Sequence, residues 1–278
     1  MNVRAIRNNS LSHGEPRRGL TLIELVIVLV ILATVAGLVI PQVGMIGRSS
    51  DMAASAKTQS DLAANIQLFF VLQKRYPQGF DSLLDTTGAI YASDTTDANT
   101  QTRGLPYAGA DGTRLQSQLA KASLTNAADA EYLRSFTRSG FDYVFDHDTT
   151  VVNSNNSATT QRYVTAAGTT SAPSTVDVAE VTGSYLTGKL VPQGLQTGER
   201  LVALGIGPRI ASQSKTLANA PVYPGCDGKY YGHYVAVFKI YATGERATLV
   251  GVCDSYGRTP NYTQQQFNES LPDGGRQG

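Results

Sequence analysis

From Leu20 to Ile40 the chain reads LTLIELVIVLVILATVAGLVI, a run whose only polar side chains are Thr21, Glu24 and Thr34. As a helix rising about 1.5 Å per residue, the run is about 30 Å long, the thickness of a bilayer's hydrocarbon core. No second run of this length follows, so the chain crosses a membrane at most once. Upstream stand Arg4, Arg7, Arg17 and Arg18 against a single acid, Glu15. Positive charge stays on the cytoplasmic side. The expected topology is a single pass through a membrane, amino terminus inside and everything past Pro41 outside.

Composition excludes more than it identifies. The 278 residues carry 23 basic and 22 acidic side chains, a formal +1, so no electrostatic argument for a nucleic-acid partner arises. Charged residues make up 16%, below the usual quarter, and neutral polar side chains fill the gap. Two cysteines are too few for a disulfide-built miniprotein, and a single apolar run is too few for a polytopic membrane protein.

The run can be read in three ways. A secretory signal has a 7–15-residue apolar core followed by a small-residue cleavage site. Thr34-Val35-Ala36 is a poor version of that site, and the apolar run continues past it. A twin-arginine signal, from Arg17-Arg18-Gly19-Leu20, leaves the acid inside the run unexplained. Gly19-Leu20-Thr21-Leu22-Ile23-Glu24 accounts for more. It resembles the cleavage motif of type IV prepilins and type II secretion pseudopilins, over roughly residues 14–41. Counting from Leu20, Glu24 is the fifth residue and Pro41 the twenty-second, both where that family carries them. The family usually begins its mature chain with Phe, and Leu20 is a mild departure.

The resemblance implies a history for the chain. Residues 1–19 are a basic leader cut after Gly19 by a prepilin peptidase, Leu20 becomes the N-methylated terminus, and 20–41 is a transmembrane and assembly helix. Residues 42–278 then form a periplasmic or extracellular head. The implied partners are membrane lipid, an inner-membrane assembly platform and other pilin or pseudopilin subunits in a periplasmic or cell-surface filament. Glu24 fits this reading physically. A carboxylate inside an apolar helix costs about 2.5–3.5 kcal/mol at mid-bilayer. In a filament it can meet the free amino terminus of a neighbour, and a mis-registered neighbour leaves both charges unpaired. The acid then sets axial register. Its presence weighs against a tip pseudopilin, and the size of the head favours a minor or specialised subunit over a major pilin. The competing class is a single-span, membrane-anchored exported binding module or enzyme that does not polymerise.

Beyond Pro41 an amphipathic pattern resumes. Leu62, Ile66, Phe69 and Tyr76 form a stripe, extended upstream by Met52 and Ala56, and Pro77 and Gly79 close it. Gly37, Pro41, Gly44 and Gly47 cluster at the junction, where a kink or unwound stretch is expected. Residues 86–104 read as a loop. Two short helical patterns follow, one on Leu115, Leu119 and Ala122, the other on Tyr132, Leu133 and Phe136 after an Asn126–Asp129 start. Phe141, Tyr143 and Phe145 alternate as a strand, and 149–175 reads as exposed loop or edge strand. Shorter strands are expected at 176–181, 185–191 and 200–204. The clearest pair is Tyr234–Tyr241 turning at Thr243-Gly244-Glu245 into Ala247–Val252. The fold class is α+β, with a long helix packed on an antiparallel sheet and a small helical insert. The family resemblance makes it pilin-like.

Chemistry is thinly supported. Many pilins close a carboxy-terminal loop with one disulfide, and Cys226 with Cys253 looks similar. Tight pairing about the 243–245 turn, however, sets Cys253 opposite a residue near Ala236, so residues 226–232 must double back or the hairpin register must be loose. Asp142, Asp146 and Asp148 form the densest acidic group, with His147 among them. Some pseudopilins hold calcium with loop carboxylates, but this spacing matches no calcium loop, and a solvated turn is the simpler reading. Tyr223, Tyr230, Tyr231 and Tyr234 with Lys229 and Lys239 read as strand core and surface more simply than as an adhesive patch. No catalytic, cofactor or structural-metal motif is found; the chain reads as a non-enzyme.

Overall fold

A computed structural model describes residues 22–91, 104–106, 113–125, 128–147, 160–163, 175–213, 215–224, 226 and 230–262, without the side chains of 38–49. The chain divides into two units, Met1–Ile46 and Gly47–Gly278. The helix α1 (Leu22–Gln73) keeps helical backbone through Gly37, Pro41, Gly44 and Gly47, so the unwound stretch expected there is not found. At the far end Lys74 adopts φ 57° and its N–H donates to the Phe70 carbonyl at 2.8 Å, a left-handed stop that precedes Pro77 and Gly79.

In the second unit, a stripe of α1 sinks into the head. Leu62, Ile66, Phe69 and Tyr76 are buried as the spacing predicts. Upstream the buried positions are Ser55 and Gln59, not Met52 and Ala56. Gln59 donates to the Ser55 hydroxyl at 3.2 Å, and the Tyr234 hydroxyl reaches Ser55 at 3.3 Å. The helix therefore meets the sheet through polar contacts at one end and apolar ones at the other.

The sheet is built from β1 (Phe80–Asp85), β2 (Leu119–Thr125), β3 (Tyr143–His147), β4 (Thr160–Tyr163), β5 (Thr175–Val181), β6 (Glu199–Gly205), β7 (Val235–Tyr241) and β8 (Thr248–Cys253). Strands β8, β7 and β6 run antiparallel as a meander. The other edge of β6 is shared: Val202 and Ala203 pair with β5, while Gly205 pairs with Asp81 of β1. Strand β2 extends the first branch, and β3 then β4 extend the second. One pairing departs from the expected antiparallel sheet: β1 and β3 are parallel. A parallel pair needs a long crossover, and residues 86–142 supply it.

Both faces of the central strands are covered, which explains why they read as continuous apolar runs. Val202, Leu204, Ala236, Phe238 and Ile240 face α1 and the helix α3 (Ala130–Arg138) in one core. Leu201, Ala203, Val235 and Val237 face a second core with Leu115 and Leu186. Those two leucines come from the short helices α2 (Leu115–Gln118) and α4 (Ser184–Leu190). Three expectations change here. The pattern Leu115, Leu119, Ala122 is one helical turn followed by β2, whose seven residues all pair with β5, so pairing overrides local spacing. Residues 185–191, expected as strand, form α4, whose first turn is satisfied by the Gln118 side chain accepting the Leu186 N–H at 3.1 Å. Strand β1 was not expected at all. Its ladder shifts register between Asp81 and Asp85, with Leu83 at φ 59°, so Leu83 and Leu84 both enter the second core and no alternation survives.

Where the edge of β6 divides, Asp81 is fully buried and accepts the Tyr231 hydroxyl at 2.9 Å. Burial, with the Asp81 charge beside it, pushes the Tyr231 phenol well above its ordinary range. A Cβ at Gly207 would run into the Asp81 carboxylate, whereas one at Gly188, on α4, would meet open space. Gly207→Ala is therefore expected to destabilise the head by about 1–3 kcal/mol. Gly188→Ala should stabilise it by up to about 1 kcal/mol. Urea unfolding of the two variants in detergent checks both signs.

Candidate functional site

The amino-terminal part of α1 presents its apolar side chains outward. Every described side chain from Leu22 to Gly37 is exposed, with Leu22 at 82%, Leu32 at 63% and Val35 at 51%. This is not a stripe but apolar surface all round the helix. Thr34 is accommodated by donating its hydroxyl to the Ile31 carbonyl at 2.8 Å, which removes one polar group from the surface. Glu24 stands exposed in the first turn, where the partial positive charge of the helix start favours a carboxylate. Among the described residues no helix is long and apolar enough to cross a membrane. The described apolar side chains end at Gly37, about 24 Å of helix, and the run reaches bilayer thickness only with its flanking residues. Gly19 and Leu20 lie outside the described residues, as does the leader before them.

The remaining candidates do not converge on a site. Cys226 and Cys253 are not bridged, so the expected disulfide is absent. The reason lies in the sheet. Cys253 is fully buried opposite Val235, one residue from the expected register, and belongs to the second core. Cys226 packs on the core of the opposite face, with its thiol donating to the Tyr230 carbonyl at 3.5 Å. Residues 227–229, between Cys226 and the stretch that leads to β7, lie outside the described residues.

Asp142 precedes β3 and Asp146 lies within it, four residues apart and about 13 Å along an extended chain, too far to share one ion. Asp142 accepts the Gln78 amide at 2.7 Å and faces Arg75 at 3.9 Å. Asp146 is buried between the Ser82 hydroxyl at 2.5 Å and Arg162 at 2.6 Å. Asp148 lies outside the described residues. Among those described, no group of three or more histidines, cysteines or acids is placed to hold a metal. His147 is not in a solvated turn: it is buried, stacked on Tyr91 at 4.0 Å between ring centroids. His233 is buried too, and burial depresses its pKa. Tyr223, Tyr231 and Tyr234 are core residues and Lys239 pairs with Glu199 across β6 and β7 at 2.8 Å, as the strand reading expects, while Lys229 lies outside the described residues.

Two buried acids, Asp81 and Asp254, had no signal in the sequence, because a lone acid beside a strand gives no sign of burial. Asp254 is fully buried and its pKa is raised, burial outweighing the pull of Arg258 at 2.8 Å.

The prokaryotic N-terminal methylation motif matches residues 16–40, so it contains Gly19, Leu20 and Glu24 together with the apolar run. The amino terminus is a type IV prepilin-type signal. The match ends where the head begins, and neither a curated protein nor a solved structure matches the chain. The prepilin signal thus stands on a head whose sheet is branched and whose cysteines remain thiols. Iodoacetamide is expected to label both cysteines of the unreduced, unfolded protein. In the folded protein Cys253 should resist, because burial and Asp254 push its thiol up. A disulfide-linked peptide in a non-reducing digest would contradict this.

Proposed function

We propose that the chain is a structural subunit, minor or specialised, of a type IV pilus or a type II secretion pseudopilus, assembled through its amino-terminal apolar helix. The observation that carries this reading is the coincidence of two features in one segment. The methylation motif covers residues 16–40, and the described side chains of that segment, Leu22–Gly37, are exposed on every side and apolar except for Glu24 and Thr34. Apolar surface of this extent cannot remain in water. Lipid covers it first, while the subunit waits as a single-pass protein of the inner membrane with its head outside. Neighbouring helices cover it afterwards, in the filament.

In this account a prepilin peptidase cuts after Gly19, the new Leu20 amine is methylated, and an inner-membrane platform lifts the subunit from the bilayer. Glu24 receives the terminal ammonium of an adjacent subunit. The α+β head fits a pilin-like plan in which the second half of α1 packs on the sheet.

Mass spectrometry of the mature protein should find an N-methylated Leu20 as its first residue. An intact Met1 or a terminus inside the apolar run would overturn the processing step. Glu24→Ala should insert into membranes normally and be lost from filaments. Filaments carrying the variant at the parent level would count against the register role of the acid.

A further inference from the structure

On the head, three distant stretches of chain meet at a cleft of about 240 Å³ lined by Thr113, Arg114, Tyr185, Tyr256, Arg258 and Tyr262. Its floor is rigid. The Leu115 N–H donates to the Tyr256 carbonyl at 3.1 Å, joining α2 to the loop after β8. Gly257, at φ +85°, brings that loop so close that a Cβ would lie 3.0 Å from the Leu115 nitrogen. The buried Asp254 carboxylate accepts the N–H groups of Tyr256 and Arg258, each at 3.0 Å, and the Arg258 Nε at 2.8 Å. One carboxylate therefore folds the loop and aims the guanidinium.

The charge in the cleft is unbalanced. The guanidinium carbons of Arg258 and Arg114 lie 4.9 and 5.3 Å from the centroid of the Tyr256 ring. Asp254 balances Arg258, but among the described residues no acid pairs with Arg114, and no acid lines the cleft. Lys189 adds a third cation at the rim, 5.9 Å from the Tyr185 ring and 6.0 Å from that of Tyr262. Like charges gathered around aromatic walls leave a site short of one anion. Arginine forks suit the planar oxygens of carboxylate or phosphate, and tyrosine faces suit a ring. The volume is below that of drug-sized pockets and admits one ring-sized group.

The geometry points to this cleft as a binding site for a small cyclic organic anion, its phosphate or carboxylate on Arg114 and Arg258 and its ring against Tyr185 and Tyr262. The site is independent of filament assembly and stands whether or not the chain polymerises. Calorimetry on the mature full-length protein in detergent micelles tests it, with phenyl phosphate and benzoate as probes. Phenol supplies the ring alone and inorganic phosphate the anion alone. Saturable binding of phenyl phosphate or benzoate is expected, with each control weaker by about tenfold or more, the loss of one charge-assisted bond or one ring contact. The two probes distinguish a phosphate from a carboxylate site. Arg114→Gln, an exposed change that spares the fold, should weaken phenyl phosphate about tenfold and leave phenol unaffected. Tyr262→Leu should weaken both. Absence of saturable binding, inorganic phosphate binding as tightly as phenyl phosphate, or unchanged affinity in Arg114→Gln would each overturn the proposal.

Discussion

A helix that is apolar on every side must find cover outside its own chain. The described side chains of Leu22–Gly37 are all exposed, and the polar ones among them are Glu24 and Thr34, the latter bonded to its own backbone. The hydrophobic effect then demands lipid or like helices, and it treats the two almost alike. What separates them is the acid. In lipid a carboxylate is a cost, and between helices it is a cost only until a cation arrives. In the filament we propose, Glu24 prefers a neighbour to the bilayer, and the leader matters because its removal creates the amine that serves as that cation.

The head obeys different rules. Its central strands are covered on both faces, and the division of the β6 edge between β1 and β5 lets one sheet carry two branches. Gly205 and Gly207 flank the division, where larger residues would strike Tyr231 or Asp81. The helix α3 closes the β7–β8 end through its serines. Ser135 accepts the Tyr241 N–H at 3.2 Å, and Ser139 accepts that of Ala247 at 2.6 Å. These polar contacts fix register where apolar packing alone would tolerate slippage.

The parts legible in the sequence are those with strong local periodicity. The apolar run, the stripe through Leu62, Ile66 and Phe69, and the β7–β8 hairpin were readable because burial imposes a fixed spacing on each, but the irregularity between Val237 and Phe238 moved the hairpin's register by one residue. The bulge at Leu83 hid β1 by turning two adjacent leucines to one side. Strand β2 was mistaken for helix because its identity comes from a partner more than fifty residues away. The cysteines illustrate a further limit: both sit in apolar surroundings, but on opposite faces of the sheet, a fact the sequence does not express. The cleft around Arg114 was equally hidden, since its walls come from three separate stretches of chain.

The central claim is that the acid of one subunit meets the terminal amine of another. Filaments assembled from an equal mixture of unlabelled and nitrogen-15-labelled protein, treated with a membrane-permeant carbodiimide, test it without altering the sequence. The account predicts amide-linked peptides joining Leu20 to Glu24 in which one partner is light and the other heavy. Crosslinks confined to a single isotope, or Glu24 unmodified by any amine in intact filaments, would contradict it.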